Sequence, residues 1–295
     1  MTVARLVACL LLALVGGFAP QESHSRDRSI LWAVEGERNT VYLLGSIHVL
    51  RPGEGGLSRA AEAAYEDAEQ LVMEIDMDDA AASDPSALLQ AMQRTALLPD
   101  GQTLREVLGS DYRAISERAA RSGIDLAVFD RFAPWLVAVT LLQAELARRG
   151  FSPELGIEQA LATRAGDDGK PIAGLETAEQ QFEVLGNLPL AEQKRFLMMT
   201  LEESDQIDAQ LDEMLKAWRE GDTDMLARVL SAEFEEFPEL YRPLTEDRNR
   251  AWVERLVDLL DDRDDYLVVV GALHLVGRNS VVDLLRQRGY TVTQQ

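Results

Sequence analysis

Cysteine is nearly missing from this chain of 295 residues: the one present, Cys9, sits in an apolar N-terminal run. With that run removed no thiol remains, which excludes disulfides, a cysteine nucleophile and a thiolate metal site. Export to an oxidising compartment is compatible with this lack. Basic residues are also scarce, 29 Lys and Arg against 51 Asp and Glu, for a net charge of −22. Such a surface repels phosphate backbones, so no nucleic-acid partner is expected. Histidine is rarer still, with three in all. Ready-made catalytic templates are missing too: there is no His-Glu-x-x-His, no Gly-x-Ser-x-Gly, no Walker loop and no Gly-x-Gly-x-x-Gly. No solenoid repeat or low-complexity tract breaks the chain.

What is present begins with a targeting pattern. Arg5 precedes the apolar stretch LVACLLLALVGGFA, and polar PQESHSRDRS follows. This order reads as a signal peptide over residues 1–20 and a tether over 21–29. LVAC mimics a lipoprotein box, but Cys9 stands before most of the apolar run. The run is short for a bilayer span. After cleavage no stable membrane span is expected and the protein is periplasmic or secreted; an uncleaved anchor is the alternative. With 46% hydrophobic residues the chain has the apolar mass for a sizeable core.

ILWAVEGERNTVYLLGSIHV reads as two strands about a Gly-Glu-Arg-Asn turn. LSRAAEAAYEDAE follows as a helix, apolar at Leu57, Ala60, Ala61, Ala64 and Tyr65, and QLVMEID as a strand. Helices then run from DPSALLQAMQ, with Asp84 as its cap and Pro85 at its first position, to SPELGIEQALATRAG. KPIAGLE interrupts as a strand, and helices resume as far as EDRNRAWVERLVDLL. The end reads strand YLVVVGALHLV, helix NSVVDLLRQRG and strand YTVTQQ. Strands thus gather in 30–77, 170–176 and 266–295, and helices fill 78–169 and 177–262. The expected fold is α/β: one domain over 30–295, a mixed, partly parallel sheet flanked by helices with a large helical insertion as a cap. A separate helical domain is the competing division.

Four predicted strands run apolar and then reach a residue able to bind a proton or a metal: His48, Glu74, Glu176 and His274. In a largely parallel sheet the carboxyl ends converge on one edge, which brings the four to a single site. The two-residue period of LVMEIDM puts Val72, Glu74 and Asp76 on one face. A carboxylate on a covered strand needs a cation, hydrogen bonds or a metal as compensation; the alternative is that the strand has ended there and both acids are solvated. Apart from His24 in the tether, each histidine stands in Gly-x-x-His, with Gly45 and Gly271 at its head. A lone histidine after an apolar strand reads as a core residue, but recurrence in one frame favours a ligand pair for zinc, manganese or a similar ion. The glycines are expected to permit a close approach to the backbone. Ser46 is set aside as a nucleophile beside His48, because neighbouring strand residues point apart and no orienting acid is evident.

These residues resemble the TraB/GumN family, which includes the animal TIKI proteins. LLGSIHVL is similar to its first Gly-x-x-His, LVMEID to its acidic strand, KPIAGLETAEQQFEVL to its Gly-Leu-Glu-Thr segment, EDRNRAW to its Arg-Asn helix, and GALHLVGRNSVVDLLRQRGYTV to its closing motif. In LGIEQAL, Glu158 stands where Asp is expected, so no role is carried over to it. The resemblance implies a sheet flanked by helices with His48, His274 and Glu74 near a divalent metal such as Mn, Co or Zn, and a hydrolase of the peptidase kind. In that reading one or both of Glu74 and Glu176 join the ligands, a carboxylate not bound to the ion, with Glu176 the candidate, takes the proton of a water, Arg248 steadies the developing oxyanion and Gln181 is a supporting donor. A peptide or small molecule is the expected partner. A non-catalytic ligand-binding protein using the same crevice and a structural envelope protein are the rival classes.

Overall fold

The computed structural model describes residues 29–75, 85–202, 207–231 and 238–295. The expected signal peptide, nearly all of the tether, and Asp76, Met77 and the Asp84 cap lie outside these residues. The strands are β1 Leu31–Glu35, β2 Thr40–Ser46, β3 Gln70–Ile75, β4 Ile172–Glu176, β5 Tyr266–Gly271 and β6 Val292–Gln294. They form one sheet in the order β4-β3-β5-β2-β1-β6. β2, β5, β3 and β4 run parallel, whereas β1 pairs antiparallel with both β2 and β6. The fold is therefore α/β with a mixed sheet, and the expected hairpin is its β1–β2 corner.

β5 is central because its sequence allows nothing else. Every residue of YLVVVG is buried, the pattern of a parallel strand covered on both faces. Each such Val or Leu removed from water contributes about 1.5–3 kcal/mol. Parallel registers align Ser46 with Gly271 and Ile75 with Glu176, so four carboxyl ends share one edge.

Helix α1, Arg59–Asp67, joins β2 to β3; the Ser58 hydroxyl accepts from the Ala61 N–H at its start, and Ala61, Ala64 and Tyr65 are its buried face. Between β3 and β4 come α2 Pro85–Ala96, α3 Leu104–Leu108, α4 Tyr112–Arg121, α5 Pro134–Arg148 and α6 Ile157–Asp168. Between β4 and β5 come α7 Ala178–Gly186, α8 Leu190–Glu202, α9 Ile207–Glu220, α10 Thr223–Ser231, a short helical turn Pro238–Tyr241 and α11 Asp247–Leu260. A π-helical turn, Arg242–Glu246, leads into α11. Helix α12, Val281–Gln287, precedes β6 and packs on α11. Among the described residues no helix is long and apolar enough to cross a membrane.

Two strands end sooner than their apolar patterns predict. YLVVVGALHLV leaves the sheet at Gly271 and turns through a 3-10 helix, Ala272–His274, while β2 stops at Ser46, two residues before His48. Both histidines thus sit on turns just beyond strand ends, where backbone curvature can aim them back over the edge; Glu74 and Glu176 lie within their strands.

Candidate functional site

The shared edge brings His48, Glu74, Glu176 and His274 together, and the side chain that joins them comes from α11. Arg248 has five N–H donors, and each has an acceptor. Nη2 meets Glu74 Oε2 at 2.6 Å and also Glu176 Oε1; Nε meets Glu176 Oε2 at 3.1 Å; Nη1 meets the Leu244 carbonyl at 3.3 Å and His274 Nε2 at 3.2 Å. The Arg248 side chain is only 5% exposed. The fork expected to face a substrate oxyanion is fully engaged by the protein's own acceptors.

Glu74 is buried, which settles the choice between a covered and a solvated acid. Gly271 donates its N–H to Glu74 Oε1 at 2.8 Å, and Gln181 donates to Glu74 Oε2 at 3.3 Å and to Glu176 Oε1 at 3.5 Å. Burial alone would raise both carboxyl groups. For Glu74 the charges of Arg248 and the two imidazoles and the Gly271 N–H outweigh it, bringing the pKa down to about 2. For Glu176 burial wins over the same guanidinium, with Glu74 adding repulsion, and the pKa is raised. The two neighbouring carboxyl groups are thus pushed apart, Glu74 down and Glu176 up.

The guanidinium also fixes a tautomer. Arg248 can only donate, so His274 Nε2 accepts, and Nδ1–H donates to Asn249 Oδ1 at 2.7 Å. Asn249 in turn donates to the Asn279 carbonyl at 2.9 Å. The ring of Trp252 lies 4.4 Å from that of His274. Burial, then the charge of Arg248, lowers the His274 pKa to about 3, so it is neutral.

His48 is held differently. Its Nδ1 is 2.6 Å from Glu158 Oε1, on α6, and the same oxygen accepts from Ser46. Its Nε2 is buried without a hydrogen-bond partner, 3.8 Å from Glu74 Oε1. Burial would lower its pKa, but the charge and hydrogen bond of Glu158, with Glu74 behind them, raise it to about 9. Glu158 thus corrects two readings: a carboxylate at that position does contact the cluster, and an acid does stand beside Ser46 and His48. Asn249 was equally missed, although it adjoins Arg248 in the motif EDRNRAW.

Gly45 permits a close approach, as expected, and Gly156 joins it. A Cβ on Gly45 would lie 2.3 Å from Ile30 Cγ2 and 3.1 Å from the Ala272 Cα. Gly156, at the start of α6, is more constrained: a Cβ there would stand 2.3 Å from the His48 carbonyl oxygen and 2.9 Å from its carbon. Backbone, not a flexible side-chain tip, must then move. Gly156→Ala is expected to cost about 1–3 kcal/mol of stability in urea unfolding and to loosen the hold of Glu158 on His48; an unchanged midpoint would remove this link.

Two imidazoles and two carboxylates are a suitable donor set for Zn, Mn or Co. Yet among the described residues no group of three or more His, Cys, Asp and Glu side chains is arranged to hold a metal. Geometry explains this. His48 Nε2 and Glu74 Oε1 face each other, but the lone pair of His274 Nε2 is taken by Arg248. Two ligands fit and the third does not while the guanidinium is in place. Beside the cluster, Glu176, Arg248, Leu175, Val184 and Trp252 line a cavity of about 420 Å³, of the size of a small-ligand site.

A sequence model described as the TraB/PrgY/gumN family matches residues 30–294. The uncharacterized protein YbaP of Escherichia coli K12 is 27% identical over 248 residues, which cover 83% of this chain and 87% of that protein. An uncharacterized protein of Treponema pallidum is 24% identical over 280 residues, covering 90% and 82%. The protein named metalloprotease TIKI2 in Xenopus tropicalis is 24% identical over 321 residues, covering 90% of this chain and 59% of its own length. No solved structure matches the chain.

Proposed function

The chain belongs to the TraB/PrgY/gumN family, and from that premise we propose that it is an exported hydrolase of peptides that uses a divalent ion, manganese, cobalt or zinc. The carrying observation is the buried, unpartnered His48 Nε2 that faces Glu74, with Nδ1 anchored on Glu158. A carboxylate on the far nitrogen is the usual way a protein orients a ligating imidazole and raises its basicity. A relative named as a metalloprotease adds weight.

His48 and Glu74 would hold the ion, with His274 joining once its Nε2 is free. When bound, such an ion lowers the pKa of water toward neutrality and polarises a carbonyl. The chain's own residues supply the rest. Glu158 keeps the His48 ring in one orientation. Glu176, whose raised pKa suits proton transfer nearer neutral pH, takes a proton from the attacking water and returns it to the leaving amine. Gln181 holds both carboxyl groups in register, and the cavity beside Glu176 receives a substrate side chain. The helices between the strands shield the crevice from bulk water.

The test is hydrolysis of a quenched fluorescent peptide library by the purified full chain. Activity should vanish on chelation and return with added Mn, Co or Zn, and His48→Ala and Glu74→Gln should each abolish it. Cleavage that survives both substitutions would end this reading.

A further inference from the structure

Four of the five donors of one buried guanidinium point at the very groups that a metal would need, and the fifth meets the Leu244 carbonyl. Arg248 bonds Glu74, Glu176 and the ligating nitrogen of His274, and it stacks over Trp252 with its carbon 4.5 Å from the ring. The carboxylates have oxygens to spare, but the imidazole has a single acceptor nitrogen. The lone pair of His274 Nε2 serves either a guanidinium N–H or a metal, and desolvated like charges at such range repel strongly.

We propose that Arg248 is the resident cation of this cage and competes directly with the divalent ion, so that a complete metal site forms only when the guanidinium withdraws from His274. This regulation rests on the reading of the same cluster as a metal-dependent hydrolase site. Three features support exclusion. The Arg248 side chain is almost wholly buried, so its positive charge is not diluted by water. Its partners come from three separate strand ends or the turn beyond them, so it also holds the cage closed. Asn249, the next residue, fixes the other nitrogen of His274, so the imidazole stays aimed at the same point when Arg248 leaves. Withdrawal has a second effect: it frees the fork that the protein's own carboxylates otherwise fill, and a freed guanidinium at this edge is placed to meet a substrate oxyanion.

Removing the guanidinium should therefore improve metal binding, the reverse of what deleting a ligand does. The experiment titrates chelator-treated full chain with manganese chloride, by calorimetry and by thermal unfolding, for the parent and Arg248→Met. The variant should bind about one ion per chain at least about tenfold more tightly than the parent. Its melting temperature should rise more steeply with manganese. Glu74→Gln in the Arg248→Met background should abolish the gain. Should Arg248→Met not fold even with manganese present, Arg248→Lys takes its place; one ammonium has three donors for five acceptors, so it too should bind manganese more tightly than the parent. Equal affinities in parent and variant, or a variant that folds and binds no manganese, would overturn the proposal. The two readings fail separately. A parent that binds manganese tightly and cleaves peptides keeps the hydrolase and loses the competition, whereas a variant that gains manganese in a protein that cleaves nothing does the opposite.

Discussion

Without added metal, Arg248→Met lowers the unfolding free energy by about 3–5 kcal/mol at neutral pH, because it leaves two buried carboxyl groups facing each other with no cation between them. For a chain of this length that is a fall of roughly 10 °C in Tm. The dependence on pH identifies the cause. The pKa of Glu74 is depressed in the folded protein, from 4.5 to about 2, chiefly by Arg248 once burial is overcome. A depressed carboxyl contributes stability that is present above its unfolded value and lost as pH falls through the folded one. The unfolded chains titrate alike, so the gap between parent and variant should be full only above the pKa that Glu74 takes in the variant, which burial without Arg248 pushes above 4.5, and should shrink toward pH 2. Replacing Glu74 and Glu176 by Gln in the same background should restore much of the loss, since neutral amides need no counter-charge. A pH-independent gap would mean that Arg248 acts by packing on Trp252 and not by charge. Chemical unfolding from pH 3 to pH 7 with and without the added substitutions measures all of this.

The second large effect concerns catalysis. With saturating manganese, Glu176→Gln is expected to lower peptide turnover by about 10²–10⁴-fold, the usual contribution of a positioned general base, while manganese affinity does not fall below that of the parent. The pH profile of the parent should rise through a pKa above the ordinary carboxylate value, because burial raises Glu176 and only its deprotonated form accepts a proton. That limb should disappear in the variant. A loss of affinity together with turnover would make Glu176 a ligand, and unchanged turnover would remove it from the reaction.

The part of this site that could be read from sequence is the part written along single strands. The all-apolar YLVVV announced a central covered strand, the alternation in LVMEI marked Glu74 as an anomaly, and the recurring Gly-x-x-His picked out two side chains that do meet at one edge. Those signals are local, and parallel pairing carries them to the same place. What stayed hidden depends on contacts between distant elements. Glu158 stands on an amphipathic helix where an acid reads as solvated surface; only the docking of α6 under the turn after β2 gives it His48 and Ser46 as partners. Gly156 looks like an ordinary loop glycine until the carbonyl of His48 is laid against it. The role of Arg248 was half visible: its helix was marked, but nothing in EDRNRAW says that all its donors are filled by the protein itself. Asn249 had the best signal of those missed, as the polar neighbour of a marked residue on an otherwise amphipathic helix.

The order of strands across the sheet has a consequence for biosynthesis. β5 lies between β2 and β3 yet is almost the last segment made. A nascent chain still attached to the ribosome therefore holds two unconnected half-sheets, β1–β2 and β3–β4, each with an unpaired apolar edge that invites intermolecular pairing. A premature stop before Tyr266 should yield an insoluble product rather than a weakly functional one, and the protein should lean on holdase chaperones until its final strands emerge.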